Sequence, residues 1–115
     1  MSSRPVNRYA YYHAHVYFNA ATRGQAVSLC RRAGSRFDVR VGRVHCKRVG
    51  PHPCWSCQLA FEAQTFDSLI SWLESNREGL DILVHGVTGD NWADHTRHAM
   101  WMGRELALDL SAFSR

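Results

Sequence analysis

Eight consecutive residues, Tyr11-Tyr12-His13-Ala14-His15-Val16-Tyr17-Phe18, constrain this chain more than any other stretch. Side chains of a β-strand alternate between its faces, so the stretch splits cleanly as a strand. One face carries Tyr12, Ala14, Val16 and Phe18, which suit burial beneath helices. The other carries Tyr11, His13, His15 and Tyr17. A strand that commits two imidazoles and two phenols to one face is doing more than building a core. Histidines at i and i+2 can also point at one metal ion.

The chain has 115 residues, enough for one domain (1–115) with its own hydrophobic core. Apolar residues make up 45% and charged residues 21%, as in ordinary globular proteins. No apolar run is long enough to span a membrane, and the N-terminus lacks an apolar signal segment, so the expectation is a cytoplasmic protein without membrane partners. The formal charge of +4 raises nucleic-acid binding as a possibility. The arginines are spread from Arg4 to Arg115, however, with Arg31-Arg32 the one tight cluster, and no nucleic-acid motif accompanies them. Without an export signal, Cys30, Cys46, Cys54 and Cys57 are expected as free thiols.

Past a frayed start (Met1 to Arg8) and the His-rich strand, Thr22 and Gln25 spell a capping box for a helix that Gly34 should end. Arg36 to Val44 reads as a second strand. His45 to Pro53 is a connection punctuated by Gly and Pro. Trp55 to Ala63 is a third strand, with Cys57, Leu59 and Phe61 on one face and Ser56, Gln58, Ala60 and Glu62 on the other. A second helix, capped by Thr65 or Asp67 and closed by Gly79, buries Phe66, Leu69, Ile70 and Leu73. Leu80 to Val87 is a fourth strand, with Ile82 and Val84 toward the helices and Leu83 and His85 on the opposite face. A third helix is expected from Trp92 to Leu106, with a short tail from Ala107.

The order β-α-β-β-α-β plus a terminal helix is the α+β, ferredoxin-like pattern, with strands in the spatial order 4-1-3-2 and both crossing helices on one face. Taking the first and third strands as parallel, one rim of the sheet should collect His13 and His15, His85, the loop carrying His52, and His95 and His98 on the helix that leaves it. Glu62 and Asp81 should lie at the far ends of their strands. The bare face needs a cover. The third helix can supply part of it, and a second subunit stacked face to face can supply the rest, closing an α+β barrel.

His13, His15 and His85 are thus candidate ligands for a first-row transition metal with open positions. The plainer reading is two polar strand residues and a satisfied core histidine. Gly50-Pro51-His52-Pro53 is stiff, either a simple turn or a device that holds His52 at the site's mouth as general base or fourth ligand. Asp94 and His98, four apart on a helix, could form a carboxylate–imidazole dyad, although that spacing is common. Cys54-Trp55-Ser56-Cys57 leads into a strand, which argues against a thioredoxin-like pair; a zinc site with Cys46 and His45 or His52 lacks a second CxxC.

The chain resembles the bacterial and fungal DOPA 4,5-dioxygenase family. The residues that carry the resemblance are Tyr12 through Phe18, Val41-Gly42-Arg43, Gly50-Pro51-His52-Pro53 with Trp55 and Gln58, and Leu80 through His85. Thr88-Gly89-Asp90, Asp94-His95-Thr96 and His98 through Gly103 continue it. Gly86, Asn91 and Cys46 depart from the family pattern. The resemblance implies a homodimeric ferredoxin-like α+β domain that uses non-haem Fe(II) and O2 to cleave a catechol such as DOPA in the extradiol manner, with Zn or Ni possible in purified protein. Its site would be His13, His15 and His85 as metal ligands with His52, His95 and His98 as catalytic residues. Extradiol chemistry also needs a base for the second phenolic proton, for which His52 or His98 is favoured. Tyr11, Tyr17 and Trp55 would line a flat pocket, and Arg40 or Arg43 would meet a substrate carboxylate. The contrasting reading is a non-catalytic metal- or small-ligand-binding protein of the same fold.

Overall fold

A computed structural model describes residues 4–113. The first element is the expected strand β1 (Tyr11–Phe18), and it is the centre of the sheet. It is flanked by β3 (Trp55–Glu62) and β4 (Ile82–Gly86), antiparallel to both. β2 (Arg40–His45) lies outside β3, and β5 (Ala99–Met102) lies outside β4. The five antiparallel strands run in the order β2-β3-β1-β4-β5. Helices α1 (Arg23–Arg36) and α2 (Ala63–Asn76) make the two long connections, and α3 (Asn91–Asp94) is a single turn.

The alternation decides which face the helices take. Tyr12, Ala14, Val16 and Phe18 of β1 join Cys57, Leu59 and Phe61 of β3 and Ile82 and Val84 of β4 in one buried layer. Ala26, Leu29, Cys30 and Ala33 of α1 and Phe66, Leu69, Ile70 and Leu73 of α2 complete it. Burying such side chains contributes about 1.5–3 kcal/mol each, so this face fixes the register of the other.

Three expectations about the sheet change. First, β1 and β3 are antiparallel, Tyr11 standing opposite Glu62 and Phe18 opposite Trp55. A helical crossover returns β2 in the direction of β1, and the loop after it reverses the chain, so β1 and β2 run one way and β3 and β4 the other. The loop carrying His52 therefore starts from the rim opposite the start of β1, and Glu62 lies at the His13 end of its strand. Second, no helix covers Trp92 to Leu106. Asp90 caps α3 by accepting from the Ala93 amide at 3.0 Å, and the Thr96 hydroxyl donates to the Trp92 carbonyl at 2.6 Å. The chain then turns, and Ala99–Met102 pairs with β4, Trp101 opposite Leu83 and Met102 opposite Ile82. The outer edge of β4 gains a ladder, which outweighs the helix propensity of Ala, Met, Arg and Leu. Third, β2 is shorter than expected, and its pairing with β3 shifts register between Val41 and Val44.

Ends differ as well. Thr22 makes no side-chain cap; its hydroxyl instead accepts from the Asn19 amide at 3.0 Å. Gln25 reaches the Arg77 and Glu78 carbonyls at 3.2 and 3.0 Å. α1 continues through Gly34, where a Cβ would come within 2.6 Å of a Val41 methyl, so this glycine serves close helix–strand approach rather than a cap. α2 begins at Ala63, before Thr65 or Asp67. Residues 4–8 are held rather than frayed: Asn7 donates to the Ala63 carbonyl at 3.0 Å and accepts from the Tyr12 hydroxyl at 2.7 Å. Residues 1–3 lie outside the described residues. No helix is long and apolar enough to cross a membrane, among the described residues.

Tyr9 lies over Gly86, its ring carbons 2.6 Å from where a Cβ would stand. We therefore expect Gly86→Ala to cost about 1–3 kcal/mol by overpacking. Urea denaturation of the two proteins measures this directly, and equal midpoints would show that Tyr9 moves aside freely.

Candidate metal centre

The face left by the helices holds the histidines. His13 stands directly opposite His85, and His15 opposite Leu83, so three imidazoles from two adjacent strands project the same way. Their ligand nitrogens all lie within 4.8 Å of one another. His15 and His85 are buried and His13 is half-buried.

The closest pair is His15 Nε2 and His85 Nε2, 3.0 Å apart. Two nitrogens each about 2.1 Å from one ion, at about a right angle, would be separated by that distance. His85 Nδ1 lies 2.8 Å from the Gly86 carbonyl and donates to it, so the proton sits on Nδ1 and the Nε2 lone pair faces the cluster. Burial pushes the His85 pKa down to about 4, and burial with four neighbouring imidazoles takes His15 well below the ordinary range. His13 is lowered by burial and by His95. All three are neutral at physiological pH, the form a metal requires. The donor set fits a divalent first-row ion.

Two more histidines close over the triad, at mid-sheet rather than at a rim. His52, between Pro51 and Pro53, folds across the open face until its ring is 4.1 Å from His15. The loop is held by Asp109, whose amide donates to the Pro51 carbonyl at 2.9 Å. Tyr17 Oη is 2.7 Å from His52 Nδ1. Burial raises the Tyr17 pKa, so the phenol keeps its proton. The phenol can donate to Nδ1, with the His52 N–H then on Nε2, or accept from Nδ1–H, with the Nε2 lone pair then free. Burial, chiefly, pushes His52 down to about 4.

His95 Nδ1 donates to the Asn91 carbonyl at 2.8 Å, so its Nε2 carries a lone pair. Its ring lies 4.3 Å from His85 and 6.3 Å from His52, with Phe113 of the terminal segment 4.8 Å away. His98 goes elsewhere. It accompanies the turn after α3, sits 4.8 Å from Tyr9, and meets Asp94 at 2.9 Å. The expected Asp94–His98 dyad therefore forms, with His98 beyond the end of α3, and the Asp94 charge is felt by His13 and His85. Burial opposes the Asp94 charge, yet hydrogen bonds from Thr88 and His98 hold its pKa below the usual carboxylate value.

The remaining candidates are distributed unevenly. A cavity of about 550 Å³ beside His13 is lined by Tyr11, Arg40 and Glu62 among others. Arg43 does not line it. Tyr17 is buried beneath the cluster, and Trp55 packs into the core beside Phe18. Asp81 is spent at the far end, where Arg104 binds it at 2.9 Å. The four cysteines are free. Cys57 shares the core with Cys30, while Cys54 lines a small cavity with Tyr17 and Asn19. Thus the two CxxC thiols do not face one site. Trp101, on the unexpected β5, stands 6.1 Å from Tyr17 on the open face.

Known proteins extend this picture. The Dopa 4,5-dioxygenase family model matches residues 12–112. A DOPA 4,5-dioxygenase from Amanita muscaria is 35% identical, over 87% of this chain and 48% of its own length. An uncharacterized 21.2 kDa protein from Botryotinia fuckeliana is 37% identical, over 68% of this chain and 47% of its own. The chain thus spans about half the length of these curated relatives. A crystal structure from Nostoc punctiforme, described as a candidate dioxygenase, superposes with a TM-score of 0.87 at 48% identity and covers 90% of both chains. With its match running from the first His-bearing strand nearly to the C-terminus, this chain belongs to the Dopa 4,5-dioxygenase family.

Proposed function

We propose that this protein is a non-haem metal dioxygenase that cleaves a catechol in the extradiol manner, with His13, His15 and His85 as ligands to Fe(II). The observation that carries the reading is the convergence of three neutral imidazoles, two of them with Nε2 atoms 3.0 Å apart. Three protein ligands leave coordination positions for other partners, as catalytic sites do. The ion, when bound, supplies the redox chemistry that joins a catechol to O2.

The chain's own residues then have distinct tasks. His95 presents an unprotonated Nε2 and can take the proton of a catechol hydroxyl. In this reading His52, hydrogen-bonded to Tyr17 through Nδ1, donates from Nε2 into the site, and His95 rather than His52 or His98 is the base. Buried Leu83 and the ring of Trp101 continue the row of His15 across β4 and β5 and give the site an apolar flank.

Freshly purified protein should contain iron, or take up Fe(II) anaerobically, and then consume O2 with catechols to give yellow ring-opened products. His15→Ala and His85→Ala should each lose the metal while circular dichroism stays native. Full metal stoichiometry in both variants would disprove the ligand set. Tight zinc with no O2 uptake on any catechol, even after Fe(II) loading, would remove the oxygenase reading and leave a binding protein.

His95→Ala should keep its metal and lose about 10²-fold or more in kcat, the range of general acid–base contributions. An unchanged kcat would shift the base to another group.

The metal-free protein should also be acid-sensitive. His52 and His85 titrate near 4 when folded, against an ordinary value of 6.5. Between these values the unfolded chain binds more protons, so stability rises with pH from about 4 to 6.5 and levels off above. Each group contributes up to about 1.4 kcal/mol per pH unit. Urea denaturation across pH 4.5–7.5 should show this slope in wild type and a shallower one in His52→Gln. Identical slopes would mean His52 is not held neutral.

A further inference from the structure

We propose that Arg40 is the specificity-determining residue for the substrate's side chain, binding a carboxylate while Glu62 and Asp38 take a neighbouring cationic group. This rests on the ring-cleaving reading for what occupies the metal end of the same cavity.

The register places these residues. His85 is opposite His13, His13 opposite Ala60, and Ala60 opposite Arg40. The four form one cross-strand row on the open face. Strands are about 4.8 Å apart, so the backbones of His13 and Arg40 are separated by roughly 9–10 Å. Ala60 is the sole side chain between them in that row, and its methyl group leaves a trough. The next row toward the rim begins with Tyr11 opposite Glu62, about 7 Å along the strands. The cavity of about 550 Å³ fills this ground, lined by Tyr11, His13, Asp38, Arg40, Ala60 and Glu62.

The charges around the trough do not cancel one another. Among the described residues, Arg40 has no ion pair with Asp38 or Glu62, and Glu62 receives one long hydrogen bond, from Gln64 at 3.4 Å. Tyr11 is 55% exposed, a phenol standing as a wall of the cavity rather than as core. One cation and two anions at a distance from the triad match a ring whose short side chain carries a carboxylate beside an ammonium. A planar guanidinium is well shaped for a carboxylate. Asp38, Arg40 and Glu62 are all exposed, so a neutral alkyl side chain would leave these charges to water.

The test is anaerobic calorimetry on the metal-loaded protein with four catechols that differ only in side-chain charge: 4-methylcatechol (neutral), 3-(3,4-dihydroxyphenyl)propanoate (anionic), dopamine (cationic) and DOPA (zwitterionic). Wild type should bind the zwitterion most tightly. Arg40→Gln should weaken the anionic and zwitterionic compounds about tenfold or more relative to the neutral one, as expected for loss of a charge-assisted hydrogen bond. The double variant Glu62→Gln, Asp38→Asn should weaken the cationic and zwitterionic compounds by a similar factor. Equal losses across all four compounds, no change in any, or no binding of any to wild type would overturn the assignment. Because turnover is absent from the measurement, charge-selective binding without O2 uptake in air overturns the oxygenase reading alone. Charge-blind binding with O2 uptake overturns the role of Arg40 alone.

Discussion

The pairing of β1 between β3 and β4 is the constraint on which the site depends. His13 opposite His85, with His15 one pair along, is a consequence of register. Register is in turn fixed by the other face, where Tyr12, Ala14 and Val16 sit at or below 1% exposure. A slip of one residue would turn every imidazole into the core and every core side chain out of it. The hydrophobic layer thus specifies the position of groups it never touches. Gly86 ties the two together. Its carbonyl fixes the tautomer of His85, while its missing side chain admits Tyr9.

Gathering imidazoles this closely has a cost that the fold meets in two ways. Burial disfavours charge on His13, His15, His52 and His85, so these four do not form a cluster of cations. Three of the rings also have a partner for the outer nitrogen: the Gly86 carbonyl for His85, the Asn91 carbonyl for His95, the Tyr17 hydroxyl for His52. The two carbonyls place the Nδ1 protons of His85 and His95 before any ligand arrives. The prolines flanking His52 limit the backbone freedom that would otherwise be lost on placing it.

Much of this was legible in one sequence because period-2 alternation is a strong signal. Tyr11–Phe18 names its own faces, and His85 with Ile82 and Val84 does the same for β4. The expected order of four strands is present, and the triad His13, His15 and His85 assembles as expected. Alternation carries no information about direction, however. Reading the first and third strands as parallel misplaced Glu62 and gathered His52 to the wrong rim, although its long loop brought it to the triad by another path. β5 was hidden because Ala-Met-Trp-Met followed by Arg, Glu and Leu has good helix propensity, and the pairing that overrides it is with a strand far earlier in the chain. The same error put His98 on a helix. Capping by Thr22 and Gln25 failed for a tertiary reason, since the Gln25 amide is taken by the end of α2.

The state of His52 bears on whether the centre is open or closed. A structural zinc site is usually completed by a fourth protein ligand. His52 is the one further imidazole stacked on His15, and its loop is stiff enough to serve. Ligation through Nε2 needs that ring's proton on Nδ1, and there it would be donated to the Tyr17 oxygen, since a phenol accepts as well as donates. Tyr17, two residues beyond His15 and on the same face, therefore holds the ring in either tautomer. With the proton on Nε2, His52 donates toward the triad; with it on Nδ1, His52 offers a lone pair there. The difference between a three-histidine and a four-histidine arrangement thus lies in one imidazole proton and not in where the fold puts the ring.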